Sequence, residues 1–145
     1  MAASDQWRDI LLVEDNPADA ELLRVAFQQY GRLPCHLHSV HDGEAALAFL
    51  RQEGGHANTP RPHLLLLDIG IPKIDGWEIL QTLRATPALA TLPVVMLTGI
   101  MSGWDEERRA VLQPLACVEK PMKWEEYPRL VAETEKLLTA MAGTG

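Results

Sequence analysis

Residues 64–76 read LLLLDIGIPKIDG, and this stretch decides the architecture. Leu64 to Leu67 is an unbroken apolar run of strand length, the pattern of a strand buried on both faces of a parallel sheet. It stops at Asp68. Ile71-Pro72 and Asp75-Gly76 then punctuate a loop, and Ile79, Leu80 and Leu83 supply the apolar side of a helix. Strand, loop and amphipathic helix in that order make one βα unit.

The unit recurs on both sides. Ile10 to Val13 is a second run ending in Glu14-Asp15. Asn16-Pro17 then offers a helix cap with proline at the first helical position. That helix carries Leu23, Ala26, Phe27 and Tyr30 on one face and stops at Gly31. Cys35 to Val40 reads as a weaker, alternating strand, followed by Asp42-Gly43 and a helix with Ala46, Leu47, Phe49 and Leu50. Gly54 to Pro62 is a breaker-rich loop. Leu92 to Leu97 is the fourth strand, ending at Thr98, and a polar helix follows from Asp105 to Leu112. Leu115 to Val118 is a short fifth strand, ending just before Lys120-Pro121. A last helix bears Leu130, Val131, Leu137 and Leu138. Five strands alternating with five helices predict a doubly wound parallel α/β sheet with right-handed crossovers. Residues 9–141 are expected to form one domain, between tails at 1–8 and 142–145.

Bulk properties limit the function. The chain has 145 residues, 47% hydrophobic and 23% charged, with a formal net charge of -7. Thirteen Lys and Arg against twenty Asp and Glu, with no basic run, argue against a nucleic-acid surface. Met1 to Asp9 lacks the apolar stretch of a signal peptide, and no segment is long and apolar enough to span a bilayer. A cytoplasmic location without membrane attachment is expected. Cys35 and Cys117 are too few for a disulfide framework.

The chemistry is expected at the carboxyl ends of the strands, where open α/β sheets bind ligands. The first strand delivers Glu14 and Asp15, the third Asp68, the fourth Thr98 and the fifth Lys120. Three carboxylates gathered there repel one another unless a cation joins them. A hard, oxygen-seeking ion resolves this, and Mg²⁺ fits because it shares its octahedron among carboxylates, water and phosphate oxygens. Beside Thr98 and Lys120, such a carboxylate is set up to attack phosphorus and form an aspartyl phosphate. An aspartate after a strand is commonly a helix cap, and a lysine is commonly a solvated charge. Independent caps rarely choose this set together.

Ile10-Leu-Leu-Val-Glu-Asp-Asn-Pro17, Leu64 to Gly76, Pro93-Val-Val-Met-Leu-Thr-Gly99 and Lys120-Pro121 together resemble the receiver domain of two-component response regulators. The resemblance covers nearly the whole chain. It implies a flavodoxin-like (βα)5 fold with strand order 2-1-3-4-5. It implies a phosphoacceptor signalling protein rather than an enzyme, one that assists its own phosphorylation and dephosphorylation. Asp68 would accept a phosphoryl group from a sensor histidine kinase. Asp15 would bind Mg²⁺ directly and Glu14 mostly through water, with the Gly70 carbonyl completing the protein ligands. Lys120 and Thr98 would hold phosphoryl oxygens, and Lys120–Pro121 is expected to be cis.

Some positions depart from the pattern. Cys117 stands where relatives often carry an aromatic switch residue three before the lysine, so the usual coupling to Thr98 is not expected. Gly70 and Ile100 lack polar side chains that orient a hydrolytic water, which implies a long-lived phosphoryl group. Gln113-Pro114 replaces a common Gly-Ala and implies a remodelled entry to the fifth strand. The chain ends after its fifth helix, so output is expected through protein–protein binding. The Gly54–Pro62 loop and Pro-Lys-Ile-Asp-Gly resemble stand-alone regulators that partner phytochrome-type kinases. Some of those relatives form homodimers through helix 4, strand 5 and helix 5, near Trp104, Trp124 and Tyr127. The alternative is that Trp124 and Tyr127 pack the last helix onto the sheet.

Other readings are weaker. A flavodoxin-like cofactor carrier would not place Glu14-Asp15 against a phosphate. A phosphohydrolase would need a second acid near the nucleophile, and position 70 is glycine. A phosphorylation-independent scaffold with the same fold remains the alternative function. His36 and His38 would share a strand face, but no third ligand follows at suitable spacing, so they read as a solvated or partly packed strand. His41 lies close by, and His63 is expected to pack or cap.

Overall fold

The computed structural model describes residues 7–71, 74–99 and 105–144. Pro72, Lys73, Ile100 and Trp104, on which some expectations fall, lie outside that set. The strands are β1 (Arg8–Val13), β2 (Cys35–Val40), β3 (Leu64–Asp68), β4 (Val94–Thr98) and β5 (Ala116–Glu119). The α-helices are α1 (Pro17–Tyr30), α2 (Gly43–Arg51), α3 (Gly76–Ala85), α4 (Glu106–Leu112) and α5 (Tyr127–Thr144), with single 3-10 turns at Gly54–His56 and Trp124–Glu126. β1 begins at Arg8 and α5 runs to Thr144.

Every strand pair is parallel, and the order is β2-β1-β3-β4-β5, as the motifs imply. The three central strands are buried on both faces and divide the core. Leu11, Val13, Leu65, Leu67, Val94 and Met96 pack against α2 and α3. Their neighbours Ile10, Leu12, Leu64, Leu66, Val95 and Leu97 pack against α1 and α5. The period-two alternation of strand side chains turns one leucine run into two cores.

Four helices begin with a side-chain cap. Asn16, Asp42, Asp75 and Asp105 accept backbone N–H bonds from Ala18, Ala45, Glu78 and Arg108 at 2.9, 2.8, 2.9 and 3.0 Å. Each satisfies an orphan donor in the first turn. β4 starts at Val94 rather than Leu92 because Pro93 has no N–H to give the ladder; its carbonyl still accepts the Leu65 N–H at 3.0 Å. α4 ends at Gln113, which takes the left-handed conformation (φ 47°) ahead of Pro114. No cis peptide bond occurs among the described residues. Lys120–Pro121 is therefore trans, the intrinsically favoured isomer, against expectation.

Trp124 and Tyr127 take the packing alternative. Tyr127 lies in the core over α1, and Trp124 sits 5.5 Å from its ring and 5.8 Å from that of Tyr30. Cys35 and Cys117 occupy opposite edge strands, and both are free thiols.

The buried Glu135 on α5 ties down the α1–β2 connection. Its Oε2 accepts the Arg32 and Leu33 N–H groups at 2.7 and 2.8 Å. Glu135→Ala leaves both donors unpaired and is expected to cost about 2 to 3 kcal/mol. Urea titration should show a lower midpoint with an unchanged slope. A loss below about 0.5 kcal/mol, typical of a surface change, would mean that water satisfies these groups.

Candidate functional site: an acidic pocket at the carboxyl edge of the sheet

Register brings the site together. Val13 pairs with Leu67, Asp68 with Leu97, and Thr98 with Glu119, so the ends of β1, β3, β4 and β5 align to within one residue of each neighbour. The residues just beyond them share one edge. The Glu14 N–H extends the ladder to the Val40 carbonyl at 3.0 Å, and the Lys120 N–H reaches the Thr98 carbonyl at 2.7 Å.

Glu14, Asp15 and Asp68 each offer a carboxylate oxygen, all within 4.8 Å of one another. Among the described residues this is the only such group of His, Cys, Asp and Glu side chains. Glu14 is 2% exposed and Asp68 8%, while Asp15 stands open to solvent. Lys120 bridges the cluster. Its Nζ bonds Glu14 Oε1, and lies 3.0 Å from Asp68 Oδ2 and 3.1 Å from Asp19 Oδ2. Asp68 Oδ1 accepts the Gly70 N–H at 2.9 Å, and Glu14 Oε2 accepts the Asn16 N–H at 3.2 Å.

Burial pushes the Glu14 carboxyl up to about 7, with the Lys120 bond opposing and the Asp68 charge reinforcing it. Burial alone would lower Lys120, but its bonds to Glu14 and Asp68 outweigh that and leave it raised. The ammonium therefore stays charged and offsets only part of four neighbouring carboxylates. The remaining charge and the all-oxygen donor set fit a hard divalent ion and do not suit a soft one.

Each predicted site residue can now be placed. Glu14, Asp15, Asp68 and Lys120 converge directly. Thr98 is buried at the end of β4, and its backbone carries the Lys120 N–H bond. Gly70 touches Asp68 through its N–H, and a Cβ there would stand 3.8 Å from Asp68 Oδ1. Cys117 packs beside the α2–α3 core, where burial raises its thiol and a bond from Arg109 pulls the other way.

Two participants were missed. Asp19 projects from the first turn of α1 onto Lys120; the Asn16-Pro17 signal fixes that turn's position and could have flagged it. Tyr127, with Leu12, Leu23, Leu97 and Leu130, closes the apolar floor beneath Lys120. Only the long-range docking of α5 reveals it.

A five-stranded parallel sheet with a lysine-bridged carboxylate cluster at its carboxyl edge defines an α/β protein with an acidic pocket at its strand ends. The chain belongs to the response regulator receiver domain family, which matches residues 10–132. It is 45% identical over 89 residues to Response regulator Rcp1 of Synechocystis sp., a match spanning 61% of this chain and 60% of Rcp1. The phosphorylated cyanobacterial phytochrome response regulator RcpA superposes with a TM-score of 0.81 at 35% identity, over 90% of this chain and 93% of that one. The Mn(2+)-bound form of Rcp1 gives 0.76 at 35% identity, over 88% and 91%.

Proposed function

We propose that this chain accepts a phosphoryl group on Asp68 from the phosphohistidine of a sensor histidine kinase of phytochrome type, in a Mg²⁺-dependent relay. One observation carries the reading: three carboxylate oxygens within 4.8 Å, with Lys120 bridging Glu14 and the acceptor Asp68. The likeness to RcpA and Rcp1 supports a phytochrome-type donor.

Asp15, Asp68 and the Gly70 carbonyl would hold Mg²⁺, with Glu14 acting mostly through water. When bound, the ion supplies Lewis-acid neutralisation of the phosphoryl oxygens. An Asp68 carboxylate oxygen forms the new O–P bond as the P–N bond of the phosphohistidine breaks and the imidazole leaves. Lys120 passes part of its hydrogen bonding from Asp68 to a phosphoryl oxygen, and Thr98, at the adjacent strand end, receives another. The burial of Asp68 limits water around the product. Output follows through a protein partner reading the altered surface, with a homodimer through α4, β5 and α5 as one route.

The test is intact-mass spectrometry after incubation with acetyl phosphate. Wild type with Mg²⁺ should gain one phosphoryl group; wild type in EDTA and Asp68→Asn should gain none. No gain in wild type, repeated with phytochrome-type kinases, would leave the phosphorylation-independent scaffold as the function.

A further inference from the structure

We infer that Asp19 is a positioning residue for phosphoryl transfer: it tethers the Lys120 ammonium so that one N–H stays aimed at the group arriving on Asp68. The inference rests on the phosphoacceptor reading above and adds a residue to it.

An ammonium carries three N–H groups and no acceptor. Lys120 Nζ turns all of them toward carboxylates: it bonds Glu14 Oε1 and lies 3.0 Å from Asp68 Oδ2 and 3.1 Å from Asp19 Oδ2. Two of these partners take part in the chemistry. Asp68 becomes the aspartyl phosphate, and Glu14 is drawn toward the divalent ion. Asp19 is not among the residues whose carboxylate oxygens lie within 4.8 Å of one another. Of the acids on Lys120, it alone is claimed by neither the metal nor the phosphoryl group.

Asp19 also stands on a rigid element. It is the third residue of α1, and the Asn16 side-chain oxygen accepts its N–H at 3.3 Å and that of Ala18 at 2.9 Å. The helix N-terminus favours a negative charge there. Leu23, one turn further along the same face, is buried in the core with Leu12, Tyr127 and Leu130. Asp19, Leu23, Lys120 and Tyr127 share one small space under the pocket. A group that aims another must itself be held by packing and capping, and Asp19 is.

Two opposing effects decide the sign. Removing the carboxylate takes a negative charge away from an incoming anion, which speeds transfer. It also lets the lysine swing, which slows transfer. The Asp19 charge is neutralised by Lys120 and is 34% exposed, so its repulsion of the phosphoryl group is screened. Misplacing a catalytic group by about 1 Å can cost about 10²-fold in rate. Positioning wins, and Asp19 speeds uptake.

The test is the rate of phosphoryl gain from acetyl phosphate in saturating Mg²⁺, read by intact mass. Asp68 forms its O–P bond there as the bond from phosphorus to the acetate oxygen breaks and acetate leaves. Asp19→Asn and Asp19→Ala should label about tenfold more slowly than wild type, and Asp19→Glu should recover most of the rate. Their urea midpoints should stay close to that of wild type, because a partly exposed ion pair contributes little stability. Glu21→Gln, which removes an exposed acid paired with Arg24 on the same helix, should label like wild type. In a Lys120→Met chain, adding Asp19→Asn should change the rate by less than about twofold, because Asp19 acts through the lysine. A merely structural role would slow both backgrounds alike. Should Lys120→Met fail to fold, recovery by Asp19→Glu at an unchanged urea midpoint carries the comparison. Unchanged or faster labelling of Asp19→Asn beside normal wild-type uptake overturns the positioning role and leaves the phosphoacceptor reading standing. No uptake by wild type overturns both.

Discussion

Lys120→Met is expected to cost the folded chain about 3 to 5 kcal/mol at pH 8 in EDTA, and clearly less at pH 6. The lysine is the cation that Glu14, Asp19 and Asp68 share, and Glu14 is 2% exposed. Removing it strands a buried carboxylate, which is far costlier than losing a surface ion pair. The pH dependence follows from Glu14, whose folded value of about 7 exceeds its ordinary 4.5 through burial. Between those values the folded state binds a proton that the unfolded state does not. Its contribution to stability is therefore full below about 4.5 and lost as the pH rises through about 7. Without Lys120 the opposing bond is gone and the proton is held still more tightly. At pH 6 the variant escapes much of its penalty by protonating Glu14; at pH 8 that escape is smaller, because holding the proton costs more against the unfolded chain. Urea unfolding of both chains at the two pH values reads the difference. Equal penalties at both would mean that Glu14 reaches water once the lysine is gone. The variant should also label with acetyl phosphate about 10²-fold more slowly, the usual effect of removing one preorganised donor.

What the sequence made legible was whatever depends on short spacing. The apolar runs at 10–13 and 64–67 announced buried strands, and Asn16-Pro17, Asp42-Gly43, Asp75-Gly76 and Asp105 marked where four helices begin. The motif order placed Glu14, Asp15, Asp68 and Lys120 at neighbouring strand ends. Interactions set by tertiary docking stayed hidden. Asp19 reaches Lys120 only because α1 begins over the end of β1. Glu135 meets Arg32 and Leu33 across about a hundred residues of chain, and no local pattern encodes that tie. β5 was placed one residue early at each end, where a short, half-buried edge strand gives weak apolar contrast.

Gly76→Ala should be nearly as damaging, although the residue lies outside the pocket. An added Cβ would meet Ile69 Cα at 2.8 Å and Asp68 O at 2.9 Å. Both are backbone atoms at the end of a fully buried strand, so neither can swing aside as a flexible side chain would. The Gly76 N–H also bonds the Ile69 carbonyl at 3.0 Å, pinning the start of α3 to the acceptor segment. Relief must come from moving α3 or the Asp68–Ile69 backbone. A rigid overpacked contact of this kind costs about 2 to 3 kcal/mol, only partly offset by the smaller unfolded-state entropy of alanine. Gly55→Ala is the control, since nothing lies within 4 Å of its added Cβ, and it should be neutral to within about 0.5 kcal/mol. The informative readout is Asp68. Should the strand yield, phosphoryl uptake from acetyl phosphate falls along with stability, because the acceptor shifts against Lys120. Should α3 yield instead, stability falls while uptake is kept. Normal stability and normal uptake together would show that the Asp75-Gly76 turn relaxes freely and that its close approach to Asp68 does not set the geometry of the pocket.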